Sequence, residues 1–148
     1  MIKKSGTAAF LLVLTQTQKK QEKLALKVQQ ADMFVQQEIT QAKSLGEYLQ
    51  EYQHKIREQR HCTASDFSRY RNFCSQLQHA LLQQKDKVTL AEAHLAKLRQ
   101  LLMQLQHKIS VLQNLIRERE QQLSADDEKK LQRTIDELSA RSYFSHND

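Results

Sequence analysis

An apolar residue recurs at alternating steps of four and three along almost the whole chain, and nothing else in the sequence constrains its fold as tightly. From Phe10 the steps reach Leu14, Thr17, Gln21, Leu24, Val28, Ala31, Val35, Glu38, Ala42, Leu45, Leu49, Tyr52 and Ile56, with only Thr17, Gln21 and Glu38 polar. A second series runs Phe67, Tyr70, Cys74, Leu77, Leu81, Gln84, Val88, Ala91, Leu95, Leu98, Leu102, Leu105, Ile109, Leu112, Ile116, Arg119 and Leu123, interrupted by Gln84 and Arg119 alone. An isolated helix, with about 3.6 residues per turn, has no need of so strict a repeat. A repeat near 3.5 keeps one stripe facing a partner and imposes a left-handed supercoil. At about 1.5 Å per residue the two series measure roughly 70 and 85 Å, so each fits the other as partner.

The predicted fold is therefore all-α: a long antiparallel two-helix coiled coil with a short C-terminal helical extension, forming a single domain over residues 1–148. Helix one is expected over about 7–58, a loop over about 59–65, helix two over about 66–123 and the extension over about 125–142. The chain has no proline and only Gly6 and Gly46, so it has few places to turn. The repeat fails between Arg57 and Asp66, which is where the turn falls, and Ser65 or Asp66 is the expected N-cap of the second helix. Ser124 with Asp127 resembles a capping box and places a second break there, after which Leu131, Ile135 and Leu138 form one more amphipathic set. One continuous rod that dimerises would bury the same stripes.

Charge and composition exclude more than they assign. The net charge is +6, with 23 Lys and Arg against 17 Asp and Glu. Acids are interspersed with bases, and no run of five like charges forms a polybasic arm, so no nucleic-acid partner is expected. Acidic residues outnumber basic ones only after Ser124. The histidines have no i, i+4 pair that would place two ligands on one metal, and two glycines cannot build a phosphate-cradling loop. Cys62 and Cys74 make neither a disulfide framework nor a zinc site. No catalytic residue, metal or cofactor is expected, because convergent catalytic groups need a pocket that a two-helix rod lacks. Near the start, Ala8 to Leu14 faintly imitates a signal peptide, but the run is short and is read as the apolar beginning of a helix.

Two features invite a binding role. Glu38, Gln84 and Arg119 interrupt the seam, and polar seam residues fix register at a cost in stability. Phe67, Tyr70 and Phe73 crowd the beginning of the second helix. A two-stranded seam is narrow, which leaves Phe73 and Ala80 on its flank, either as a docking patch or beneath a covering turn of the first helix.

Three stretches resemble the flagellar export protein FliJ family, soluble components of the bacterial type III export ATPase complex. They are Tyr48-Leu49-Gln50-Glu51-Tyr52 before the loop, Ala64-Ser65-Asp66 through Tyr70-Arg71-Asn72-Phe73 to Leu77-Gln78-His79-Ala80 after it, and Ile135-Asp136-Glu137-Leu138-Ser139-Ala140-Arg141 near the end. The resemblance implies a non-catalytic stalk, monomeric alone. The end carrying both termini would bind a hexameric export ATPase and promote its assembly, through Phe10, Leu11, Leu14, Leu131, Ile135 and Leu138. It also implies contact with the export gate protein FlhA through Phe73, Leu77, Ala80 and Gln84, and binding of export chaperones on a surface the sequence does not locate. Such a protein would be cytoplasmic, peripheral to the inner membrane at the flagellar base through its partners, and required for motility and chemotaxis. The fourth position departs from the expected pattern, with Gln84 where the family can have another polar or cationic side chain. The same pattern also fits the equivalent stalk of a virulence type III system, or a self-associating coiled-coil scaffold or secretion chaperone.

Overall fold

A computed structural model describes residues 2–58 and 63–146, with side chains from residue 6 onward. Every described residue but Thr63 is helical, in α1 (Ile2–Glu58) and α2 (Ala64–His146). The two helices pack against each other antiparallel, giving the all-α coiled coil that the repeat requires. Residues 59–62, which include Cys62 and most of the expected loop, lie outside the described residues. By contact, the chain divides into one unit comprising residues 22–103 and another comprising residues 1–21 and 104–148.

In the unit of residues 22–103, Val35, Ala91 and Leu95 form a buried cluster against which Val28 and Ala31 pack. Every position of the seam repeat in this unit is buried or half-buried except Phe67, which is 55% exposed. Phe67 belongs to the last layer of the pairing, where the described part of α1 ends at Glu58, so its ring is covered from one side only. Across the seam the Gln84 amide donates to the Glu38 carboxylate and, at 3.1 Å, to the Glu38 carbonyl oxygen. Gln84 is only 6% exposed. A buried amide with those acceptors is satisfied only in this register, because a slip of one turn would orphan it.

The start of α2 differs from expectation. Thr63, rather than Ser65 or Asp66, is the N-cap: its hydroxyl oxygen accepts from the Asp66 amide at 3.1 Å, and its carbonyl accepts from the Phe67 amide at 3.0 Å. Asp66 instead sits in the first turn, where a carboxylate favours the helix dipole.

In the unit of residues 1–21 and 104–148, Ile109, Leu112 and Ile116 are buried from α2. Thr17 is buried from α1, its hydroxyl donating to the Val13 carbonyl at 2.7 Å, which is how a seam threonine goes unpenalised. The Arg119 guanidinium lies over the Phe10 ring at 5.1 Å from its centroid, so this polar seam position is occupied by a cation–π contact. A Cβ at Gly6 would meet that guanidinium, so the glycine leaves the room the cation fills.

The sequence reading ends helix two at Leu123 and starts a separate extension after Ser124, but α2 passes through without a break. Ser124, Asp126 and Asp127 are only mildly poor helix formers, and with no proline or glycine in reach nothing stops a helix already under way.

Candidate functional site

The residues singled out after the loop come together in the unit of residues 22–103 as a layer of aromatic rings. Tyr52 faces Phe73 edge-on at 4.7 Å between centroids and Tyr70 at 5.8 Å, while Tyr48 meets Phe73 edge-on and Tyr52 nearly stacked, both at 6.4 Å. These are the offset geometries that aromatic quadrupoles favour. Tyr52 occupies the seam of α1, and Tyr48, four residues earlier, lies one turn along on its flank. Phe73 and Tyr70 hold the matching places on α2. The contact of Tyr48 with Phe73 shows α1 partly covering the phenylalanine, which is half-buried, while Tyr48 remains 49% exposed.

The layer opens to solvent. Tyr52, Tyr70 and Phe73 line a shallow groove with Asp66, Arg69, Asn72 and Gln76. Loss of water around Tyr52, and then repulsion from Tyr70, Cys74 and Tyr48 if they ionise, push its phenol above the usual value near 10. A phenol so placed is a neutral packing and hydrogen-bonding group at physiological pH. Cys74 is half-buried and free. Among the described residues no group of three or more His, Cys, Asp or Glu is gathered as metal ligands would be.

Of the four residues assigned to gate contact, Phe73 and Ala80 are half-buried on the flank, Leu77 is half-buried in the seam and Gln84 is buried there. Gln84 faces across the seam, where its amide donates to Glu38. In the sequence Tyr52 is a seam position of the first repeat, and Tyr48 is a mark of resemblance alone. In the structure both rings pack against Phe73, an arrangement hinted at by a tyrosine pair spaced four apart on a helix.

The residues assigned to the terminal end lie in the other unit and fall into two groups. Phe10 and Leu14 are half-buried in the seam, and Leu11 is 46% exposed beside them. Leu131, Ile135 and Leu138 are all exposed, as is every described residue from Asp127 to His146. The steps of four and three that join them place them on one face of α2. In this unit α2 continues beyond the residues that α1 covers. Tyr143 and Phe144, edge to face at 6.1 Å, extend the exposed apolar surface. The pair lies outside every expected site, although adjacent aromatics in a polar tail are a visible signal in the sequence. Among the described residues, no helix is long and apolar enough to cross a membrane.

Compared with known proteins, the chain matches the family described as "Flagellar FliJ protein" over residues 7–148, essentially its full length. No curated protein and no solved structure matches it.

Proposed function

We propose a role for this chain within the flagellar export apparatus, because it belongs to the flagellar FliJ family. In this reading it is a non-catalytic stalk component that works through protein contacts alone. The surface made by Phe10, Leu11, Leu14, Leu131, Ile135 and Leu138 engages the hexameric export ATPase and promotes its assembly. Phe73, Leu77 and Ala80 engage the export gate FlhA, with Gln84, the fourth residue of that set, buried in the seam. Export chaperones bind as well, and the protein stays in the cytoplasm, held at the inner membrane by its partners.

The observation that most supports this reading is the exposed stripe of Leu131, Ile135 and Leu138 on a part of α2 that no other described residue covers. Apolar side chains ordered along one helical face and left in water mark a surface made for a partner.

The gate contact is tested by measuring binding of the wild-type protein and of Phe73→Ala to the cytosolic part of the cognate gate protein. Loss of a ring at the centre of the patch should weaken binding by about tenfold or more, as for a buried aromatic anchor. Leu82→Ala, which removes an exposed leucine elsewhere on α2, should leave binding unchanged. Equal binding by wild type and Phe73→Ala would remove the patch from the proposal.

A further inference from the structure

The groove beside Phe73 has a counterpart across the seam. This second groove, also in the unit of residues 22–103, is lined by Ile56, Phe67, Tyr70 and Cys74 together with Arg57 and Arg71. The two grooves share Tyr70 alone. Asp66, Arg69, Phe73 and Gln76 of the first each directly precede a seam position, whereas Arg57 and Arg71 of the second each directly follow one. On a helix those are opposite flanks.

The two also differ in charge. The first groove has a carboxylate, Asp66, as well as the cation Arg69. The second has two guanidiniums and no carboxylate in its lining. Acids are scarce around it in the sequence too: none occurs from Phe67 to Lys85, and residues 59–62 contain none. Glu58 follows Arg57 directly, but its carboxylate lies 3.1 Å from the His54 ring. Among the described residues neither guanidinium has an ion pair. Phe67 is 55% exposed, while Ile56, Tyr70 and Cys74 are half-buried.

We infer that this groove binds an acidic peptide segment of a partner protein, which sets one large apolar side chain against Phe67 and carboxylates on Arg57 and Arg71. The guanidiniums select the charge, because their planar forks match carboxylates and repel basic segments. The apolar lining selects an anchor, since a free inorganic anion would leave Phe67 and Ile56 in water. Length selects the form. From Phe67 to Cys74 the groove extends about 10 Å along α2, room for one anchor and its neighbours but not for a long docked helix. Two cations are too few to hold a nucleic-acid backbone or an anionic bilayer. The groove lies across the seam from Phe73, so its use is independent of the gate contact and of the export role.

The test titrates a short fluorescein-labelled peptide, one tryptophan among glutamates, into the full-length protein and follows its anisotropy. Saturable binding is expected, weakening as salt is raised. Arg57→Glu with Arg71→Glu should weaken it about tenfold or more, and Phe67→Ser should weaken it by a similar factor. Lys55→Glu with Arg69→Glu makes the same change of net charge on the other flank and should leave binding within about twofold. A lysine version of the peptide should not bind. Circular dichroism checks that every variant remains helical. No binding by the wild type, or equal loss from the two double reversals, overturns the groove. Equal binding of a peptide with serine in place of tryptophan removes the apolar anchor and overturns it as well. So does peptide binding unchanged in Arg57→Glu with Arg71→Glu, even if that variant loses phosphatidylserine vesicles or single-stranded DNA.

Discussion

Two stretches of α2 carry the same helical pattern and meet opposite fates. Between Val88 and Leu102 the seam residues pack on α1, with Ala91 and Leu95 among the most buried in the chain. From Asp127 to His146 the helix is equally regular and its apolar residues are equally spaced, yet each lies in water. Burial stabilises by about 1.5–3 kcal/mol for each large aliphatic side chain. The first stretch has realised that free energy in folding. In the second, Leu131, Ile135 and Leu138 have not realised it. The difference teaches that periodicity marks which face of a helix seeks a partner, and not whether that partner belongs to the same chain.

Truncating each stretch puts the comparison at most risk. Leu95→Ala should cost about 3 kcal/mol in urea unfolding followed by circular dichroism, as for other buried leucines. Leu138→Ala should cost no more than about 0.5 kcal/mol, as at exposed sites. Similar losses at both would mean that the free stripe is already buried in solution, for instance against a second copy, and sedimentation equilibrium would then show a dimer.

The next effect sharpens what holds the paired stretch in register. Glu38→Ala removes one of two acceptors from a buried amide and should cost about 1–2 kcal/mol, the price of a weakened buried hydrogen bond. Replacing both Glu38 and Gln84 by leucine should recover that stability while loosening the register. Spin labels at the exposed positions 41 and 83 should then report more than one distance. A single unchanged distance would mean that the apolar layers alone set the pairing.

Gly46 gives a smaller effect with the opposite sign. It lies within α1 and a Cβ added there meets nothing within 4 Å. Gly46→Ala should stabilise by about 0.5–1 kcal/mol, the helix-propensity difference, read as a rise in thermal midpoint. A fall would show that something else occupies that space.

Ionisation of the aromatic layer is the weakest lever. Burial and its neighbours raise the Tyr52 phenol, so the folded state favours the protonated form. The contribution is present below the usual tyrosine value and is lost as pH rises through the folded one. The alkaline unfolding midpoint of Tyr52→Phe should therefore shift to higher pH than that of the wild type, and no shift would mean that the ring is hydrated as in an unfolded chain.

The heptad steps were enough to place nearly every buried position, because in a two-helix coiled coil each layer depends on local spacing and on one partner. Phe67 escaped the rule, since an end layer lacks a neighbour and spacing does not reveal where pairing stops. Thr63, Ser65 and Asp66 are all good caps, and the choice among them depends on where the chain leaves α1. Ser124 read as a start signal, but a start signal does not end a helix already running. Glu38 and Gln84 each stood out as polar seam residues, and antiparallel pairing brings them level. The cover that Tyr48 gives Phe73 became visible only once both helices were in register.

The most direct test of the stalk account is stimulation of the cognate export ATPase by wild-type protein, by Phe73→Ala, and by a variant with Leu131, Ile135 and Leu138 all changed to alanine. The account predicts stimulation that survives Phe73→Ala and is lost in the triple variant, with both still helical. No stimulation by the wild type, with the ATPase itself active, would contradict it, as would stimulation lost in Phe73→Ala and retained in the triple variant.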